Sequence, residues 1–233
     1  VTSRSTIAAI AAIDPEIAST IFGTPPAIAL GGWPGSVHGL AWASSASFED
    51  DVKAARIPPE VRAVMYDPEA WAATPIEERR DPLSHVRRFV SLAHDRGYFA
   101  IVTPHPNLVE DPEAAFTRAA AETREDAYLR SGIAQEAARE ANAFEIQAQR
   151  LQNDPDAYRD FVSRTAAQAR AANPGVLVLS GLSTHPGYAA TPQMLYAAWT
   201  SVSDVVDGHY LSLAKGRLPR VAAEFLRMAA GGS

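Results

Sequence analysis

No cysteine occurs among the 233 residues, so disulfides, thiolate metal sites and a cysteine nucleophile are excluded. That absence does not select a compartment, and the sequence is compatible with a soluble chain that is secreted or cytoplasmic. Long apolar runs are also missing. Stretches such as Ile7–Ile13 fall far short of the roughly 20 residues of a membrane-spanning helix. Positive charge is not in excess: 21 basic against 27 acidic residues give a net charge of −6. No basic stripe invites nucleic acid, and a small molecule or saccharide is the expected partner. Oligomeric state is left open. The first residue is Val1 rather than Met, as expected of a trimmed or processed chain whose targeting peptide would be out of view.

What is present is an ordinary globular composition, 47% hydrophobic and 21% charged, with no repeat, low-complexity tract or linker. One domain spanning 1–233 is the expectation. Strand-like and helix-like patterns alternate along it. Strands are predicted at Ala27–Gly32, His38–Ala43, Ala63–Asp67, Tyr98–Thr103, Ala143–Gln149, Val176–Ser180 and Val206–Leu213. Helices are predicted over Ser5–Ser19, Ser47–Arg56, Pro82–Asp95, Pro112–Glu122, Ala127–Glu140, Pro155–Ala172, Thr191–Asp204 and Leu218–Ala229. Prolines fall where elements should stop, at Pro25-Pro26, Pro58-Pro59, Pro104, Pro106 and Pro186. Six clear strands and one or two weaker ones predict an α/β fold, a (β/α) TIM-type barrel, with an incomplete barrel allowed by the chain's length. No G-x-G-x-x-G turn supports the rival, an open doubly wound sheet.

Alternate residues of a barrel strand point inward, and active sites lie at the strands' C-terminal ends. In Phe144–Gln149, the apolar Phe144, Ile146 and Ala148 should meet helices, which turns Glu145, Gln147 and Gln149 inward. In Ala63–Glu69, the residues Asp67 and Glu69 share one side with Ala63 and Met65. Thr103, His105 and Asn107 share a side if the extended chain continues, Ser180 ends a later strand, and His209 and Tyr210 lie in the last. Catalytic candidates are therefore Glu69, Asp67 and Glu145. Candidates for holding substrate are Tyr66, His105, Asn107, Gln147, Gln149, Ser180, His209 and Tyr210, with Trp33, Trp71 and Tyr210 as stacking surfaces for a sugar ring. The histidines are scattered without H-x-H or H-E-x-x-H spacing, so no metal and no cofactor is expected. No nucleophile elbow or P-loop occurs.

The segments Ala29-Leu30-Gly31-Gly32-Trp33, Arg62–Glu69 and Ile146–Gln149 resemble, in order and layout, the family 18 glycoside hydrolases, the chitinase-like barrels. Their acidic motif D-x-x-D-x-D-x-E keeps its last two acids here, as Asp67 and Glu69, with Arg62 and Met65 at the first two places. The resemblance implies that Glu69 is the general acid, that Asp67 orients an acetamido group for internal attack, and that Gln147 or Gln149 steadies that group. From the residues alone, a two-carboxylate mechanism pairs Glu69 with Glu145 across the barrel. The leading expectation is a metal-independent hydrolase of a glycosidic bond. The alternatives are a lyase, isomerase or cyclase for a small polar metabolite with His105 or His209 as base, and a carbohydrate-binding barrel without catalysis. A salt bridge between Glu69 and Arg62 would favour the last.

Overall fold

Eight short parallel strands, none longer than seven residues, close in chain order into a barrel in the computed structural model. It describes residues 1–23, 27–114, 116–188, 190–213 and 219–231, leaving aside the side chain of Pro186. The strands are β1 (Thr2–Ser3), β2 (Ile28–Leu30), β3 (Val37–Trp42), β4 (Ala63–Tyr66), β5 (Phe99–Val102), β6 (Ala143–Ile146), β7 (Leu177–Ser183) and β8 (Gly208–Ser212). The described helices are α1 (Arg4–Ala11), α2 (Pro15–Phe22), α3 (Ser45–Lys53), α4 (Ile76–Arg80), α5 (Pro82–Asp95), α6 (Arg124–Ser131), α7 (Ile133–Ala138), α8 (Pro155–Ala172), α9 (Pro192–Ser201) and α10 (Pro219–Ala229). The barrel is complete. The strand missing from the sequence reading is β1, two residues long and too short to show periodicity.

Local chemistry explains most boundaries. Asp154 accepts hydrogen bonds from the Asp156 and Ala157 amides at 3.2 and 3.1 Å, and α8 begins at Pro155. The helix expected over Ser5–Ser19 is two, because Pro15 cannot continue a hydrogen-bonded ladder and Asp14 caps α2 through the Ile17 amide at 3.0 Å. Gly132, at φ +72°, likewise divides the helix expected over Ala127–Glu140. Ser44 caps α3, so this helix begins at Ser45, two residues before the expected start at Ser47. The helix expected over Pro112–Glu122 does not form in its described part. There Asp111 accepts from the Glu113 amide at 2.9 Å and Glu122 from the Ala119 amide at 3.1 Å, so side chains compete for the backbone donors. Pro25-Pro26 and Leu218 lie outside the described residues.

The chain groups into two compact units. One comprises Val1–Leu40, Ala148–Ser163 and the described residues from Ser180 onward. Its core includes the fully buried Ile7, Ile10 and Tyr158, with the Tyr158 hydroxyl donating to the Gly181 carbonyl at 2.9 Å. The other comprises Ala41–Gln147 and Arg164–Leu179. An aromatic cluster fills it: Phe89 of α5 lies 4.4 Å from Phe48 and 5.2 Å from Tyr66, and Trp42 lies 4.9 Å from Phe48, centroid to centroid.

Candidate active site

Register builds the site. Tyr66 pairs with Val102, and Val102 with Phe144, so the next residues along, Asp67, Thr103 and Glu145, stand level on three neighbouring strands. Tyr66 packs on Phe89 of α5, which fixes its strand face as the helical one and turns Asp67 to the opposite face. The Thr103 hydroxyl donates to Glu145 Oε2. One residue pair further along, the Gln147 amide donates to Asp67 Oδ1 at 2.6 Å and to the Thr103 carbonyl at 3.0 Å, bridging over β5. The sequence alternation thus brings Asp67, Glu145 and Gln147 together.

Among the described residues no cation pairs with Asp67 or Glu69. Burial, together with the charges of Glu69 and Glu145, pushes Asp67 well above the ordinary carboxylate range, against the pull of the Gln147 amide. Burial raises Glu69 to about 6. Glu145 rises to about 7, again through burial, despite the hydrogen bond from Thr103. Its Oε1 has no hydrogen-bond partner among the described residues. Glu145, the expected partner of Glu69 across the barrel, is only 1% exposed, whereas Asp67 and Glu69 are half-buried. The charge of Glu145 is one of the causes that raise Asp67.

Glu69 sits in the loop after β4, and that loop is braced. The Asn107 side-chain oxygen accepts from the Ala70 amide at 3.0 Å, and the Pro68 carbonyl accepts from the His105 amide at 3.0 Å. His105 and Asn107 do not continue an extended strand, because Pro106 opens a 3-10 turn capped by His105. The His105 Nδ1 accepts from the Asn107 amide at 2.9 Å, which leaves the proton of the neutral ring on Nε2. Burial lowers this histidine to about 4. Arg62 does not approach Glu69. Its guanidinium donates to the carbonyls of Pro59 and Val61 at 2.5 and 2.9 Å.

Other candidates are placed differently. Tyr66 is corrected from a substrate contact to a buried structural group, 0% exposed, whose hydroxyl donates to Glu78 Oε2 at 2.7 Å on the helical face. Gln149 is not on a strand, because β6 ends at Ile146 and Gln149 begins a 3-10 turn. Within the other unit, Ser180 and His209 form a hydroxyl–imidazole pair at 2.8 Å. The Trp199 ring of α9 lies 5.9 Å from His209, so the pair sits beneath that helix, and burial lowers His209 to about 4. Tyr210 takes the alternate face of β8, and Trp33 is half-buried in the loop after β2.

Two supporting residues had no sequence signal. Thr74 and Glu78 lie in a stretch without periodicity, yet both are 1% exposed. Glu78 accepts four hydrogen bonds, from Ser44 Oγ (2.8 Å), the Ser45 amide (2.8 Å), the Ala46 amide (3.1 Å) and Tyr66 Oη (2.7 Å). No cluster of three or more His, Asp or Glu side chains suited to a metal ion occurs among the described residues. No described helix is long and apolar enough to cross a membrane.

No protein-family model and no curated protein matches the chain. Among solved structures it is similar to a candidate alpha-L-fucosidase of Bacteroides thetaiotaomicron, at 10% identity and a TM-score of 0.50, over 79% of this chain and 59% of that one. It is also similar to alpha-L-fucosidase AlfC of Lactobacillus casei, solved with its alpha-L-fucose product, at 9% identity and a TM-score of 0.35, over 80% of each chain. The chain thus spans about three fifths of the Bacteroides protein. What it shares with that protein is a glycosidase-like barrel fold.

Proposed function

We propose that this barrel hydrolyses a glycosidic bond, with Glu69 as general acid and Asp67, steadied by Gln147, as its partner. The observation that carries the reading is the pair of carboxyls following β4, both raised by burial, with Glu69 at about 6 and no cation against either among the described residues. A donor to the glycosidic oxygen must hold its proton near working pH, which that value allows and an ordinary carboxyl does not. Asp67 and Glu69 are i, i+2 neighbours following one strand, and in this reading they lie on one side of the ligand rather than flanking it. That placement suits attack on the anomeric carbon by the substrate's own acetamido oxygen, oriented by Asp67 and Gln147. Glu69 gives its proton to the departing oxygen, and its carboxylate then takes one from the water that opens the cyclic intermediate. A histidine base has less support, since His105 and His209, both at about 4, are weak bases.

The test is a turnover and thermal-shift screen on wild type and Glu69→Gln. Its panel contains aryl N-acetyl-glucosaminide, alpha-L-fucoside and glucoside, with oligosaccharides added; the fold likeness motivates the fucoside. Hydrolysis by wild type that disappears in Glu69→Gln supports the reading. Stabilisation by a sugar with no turnover in either protein replaces it with a binding barrel. Neither response across the panel removes the saccharide altogether.

A further inference from the structure

Trp71 departs from the usual economy of a folded chain. It is 46% exposed, and among the described residues it is the only aromatic side chain in the set of large apolar groups left in water, beside Ile13 and Leu177. A merely stranded indole would turn its N–H to solvent. Here the Trp71 Nε1 donates to the Thr74 hydroxyl oxygen at 3.0 Å. The same oxygen accepts from the Glu69 amide at 3.1 Å. Two further backbone bonds close the loop, Trp71 N to the Glu69 carbonyl at 2.8 Å and Thr74 N to the Trp71 carbonyl at 3.3 Å. A hydroxyl oxygen has two lone pairs, and both are used, one on the residue that carries the acid and one on the ring.

We propose that Trp71 is a built aromatic platform for the apolar face of a pyranose ring, and that Thr74 positions this platform and Glu69 as one unit. The inference rests on the hydrolase reading for the role of Glu69, and the platform itself stands on the Trp71–Thr74 geometry. An exposed ring fixed by an internal hydrogen bond has already lost the freedom that a ligand would otherwise have to remove, so its free face favours binding. The polar edge is satisfied within the protein, leaving only the π-face to offer. A sugar ring, with C–H groups on one face and hydroxyls around its rim, matches such a surface and a loop that also presents a carboxyl. Thr74 does not touch substrate in this arrangement. It acts through the two groups it holds.

The test uses the whole chain and two trisaccharides, cellotriose and triacetylchitotriose, as probes. Subtracting the Trp71→Phe fluorescence from that of wild type isolates Trp71 among the four tryptophans. Saccharide-dependent quenching is expected in wild type and in Glu69→Gln, and is expected to be lost in Trp71→Phe. Without sugar, Thr74→Val lowers the anisotropy of the Trp71 component, whereas Thr74→Ser, which keeps the hydroxyl, does not. For a hydrolysed aryl glycoside, Thr74→Val and Trp71→Ala each raise KM about tenfold, and Thr74→Ser restores it. Should Thr74→Val not fold, Trp71→Phe against Trp71→Ala carries the kinetic test, with the smaller KM change expected in the phenylalanine variant. Quenching that persists in Trp71→Phe, or anisotropy and KM unchanged in Thr74→Val, overturns the proposal. Quenching without hydrolysis of any glycoside leaves the platform standing and removes the hydrolase reading; hydrolysis with no quenching in wild type does the reverse.

Discussion

Replacing Glu78 by Gln changes one atom and should cost the fold about 2–4 kcal/mol. The magnitude follows from the geometry of the carboxylate. Oε1 accepts from Ser44 Oγ and the Ala46 amide, and Oε2 from the Ser45 amide and Tyr66 Oη. A glutamine must set its amino group against one of these pairs. The hydroxyl of that pair can rotate and accept instead, but the backbone N–H cannot, so either orientation leaves one buried amide facing another donor. An unsatisfied buried donor accounts for about 1–3 kcal/mol, and the surviving bonds fall from charge-assisted to neutral strength. The pH dependence separates this account from a simple packing defect. Burial opposes ionisation of Glu78, but the hydrogen bonds from Tyr66, Ser45, Ala46 and Ser44 outweigh it, and its pKa lies below the ordinary value of 4.5. Its stabilisation is therefore complete above that value and is lost as pH falls through the lowered one. Urea unfolding of wild type and Glu78→Gln from pH 7 to pH 3 should show a gap that narrows in acid. A gap below about 0.5 kcal/mol at pH 7, or one that does not change with pH, would refute the reasoning.

Three further outcomes follow from the same structure. Since Glu69 must carry a proton to act as acid, kcat/KM should fall as pH rises through about 6, and a profile flat from pH 5 to pH 8 would remove it from that role. Glu145 has a folded pKa of about 7 against an ordinary 4.5, so protons are taken up on folding between those values and wild type loses stability as pH rises through them. Glu145→Gln lacks that loss and should be more stable than wild type by on the order of 3 kcal/mol at pH 8, the two converging near pH 4 in urea titrations. Gly35 lies at φ +83°, and a Cβ there would sit 1.8 Å from the Gly23 carbonyl oxygen. Gly35→Ala should therefore destabilise by at least about 3 kcal/mol, and a urea midpoint near that of wild type would show that the turn relaxes freely.

Periodicity carried the strand and helix alternation, and with it the barrel, because a buried strand or amphipathic helix writes its environment into every second or third residue. It set α5 at Pro82–Asp95 and α8 at Pro155–Ala172, where capping residues mark the ends. It also turned Asp67, Glu145 and Gln147 to one side, since side-chain alternation along a strand is a matter of covalent geometry. It failed where a single residue overrides a pattern, as at Gly132 and Pro15, or where side chains capture backbone donors, as between Asp111 and Glu122. It could not distinguish a half-buried carboxyl from a fully buried one. Asp67 and Glu145 read alike in the chain, and only the pairing of β4, β5 and β6 sets Glu145 beside Thr103 and level with Asp67. Tyr66 beside Asp67 looked like part of the site until the packing of Phe89 and Glu78 claimed it for the helical face. Thr74 and Glu78 were invisible because their partners come from loop closure and from α3, contacts with no periodic trace. Which residues alternate was decided along the chain. Which of the buried polar groups have partners, and so which charges persist, was decided by the strands and loops that tertiary folding brought beside them.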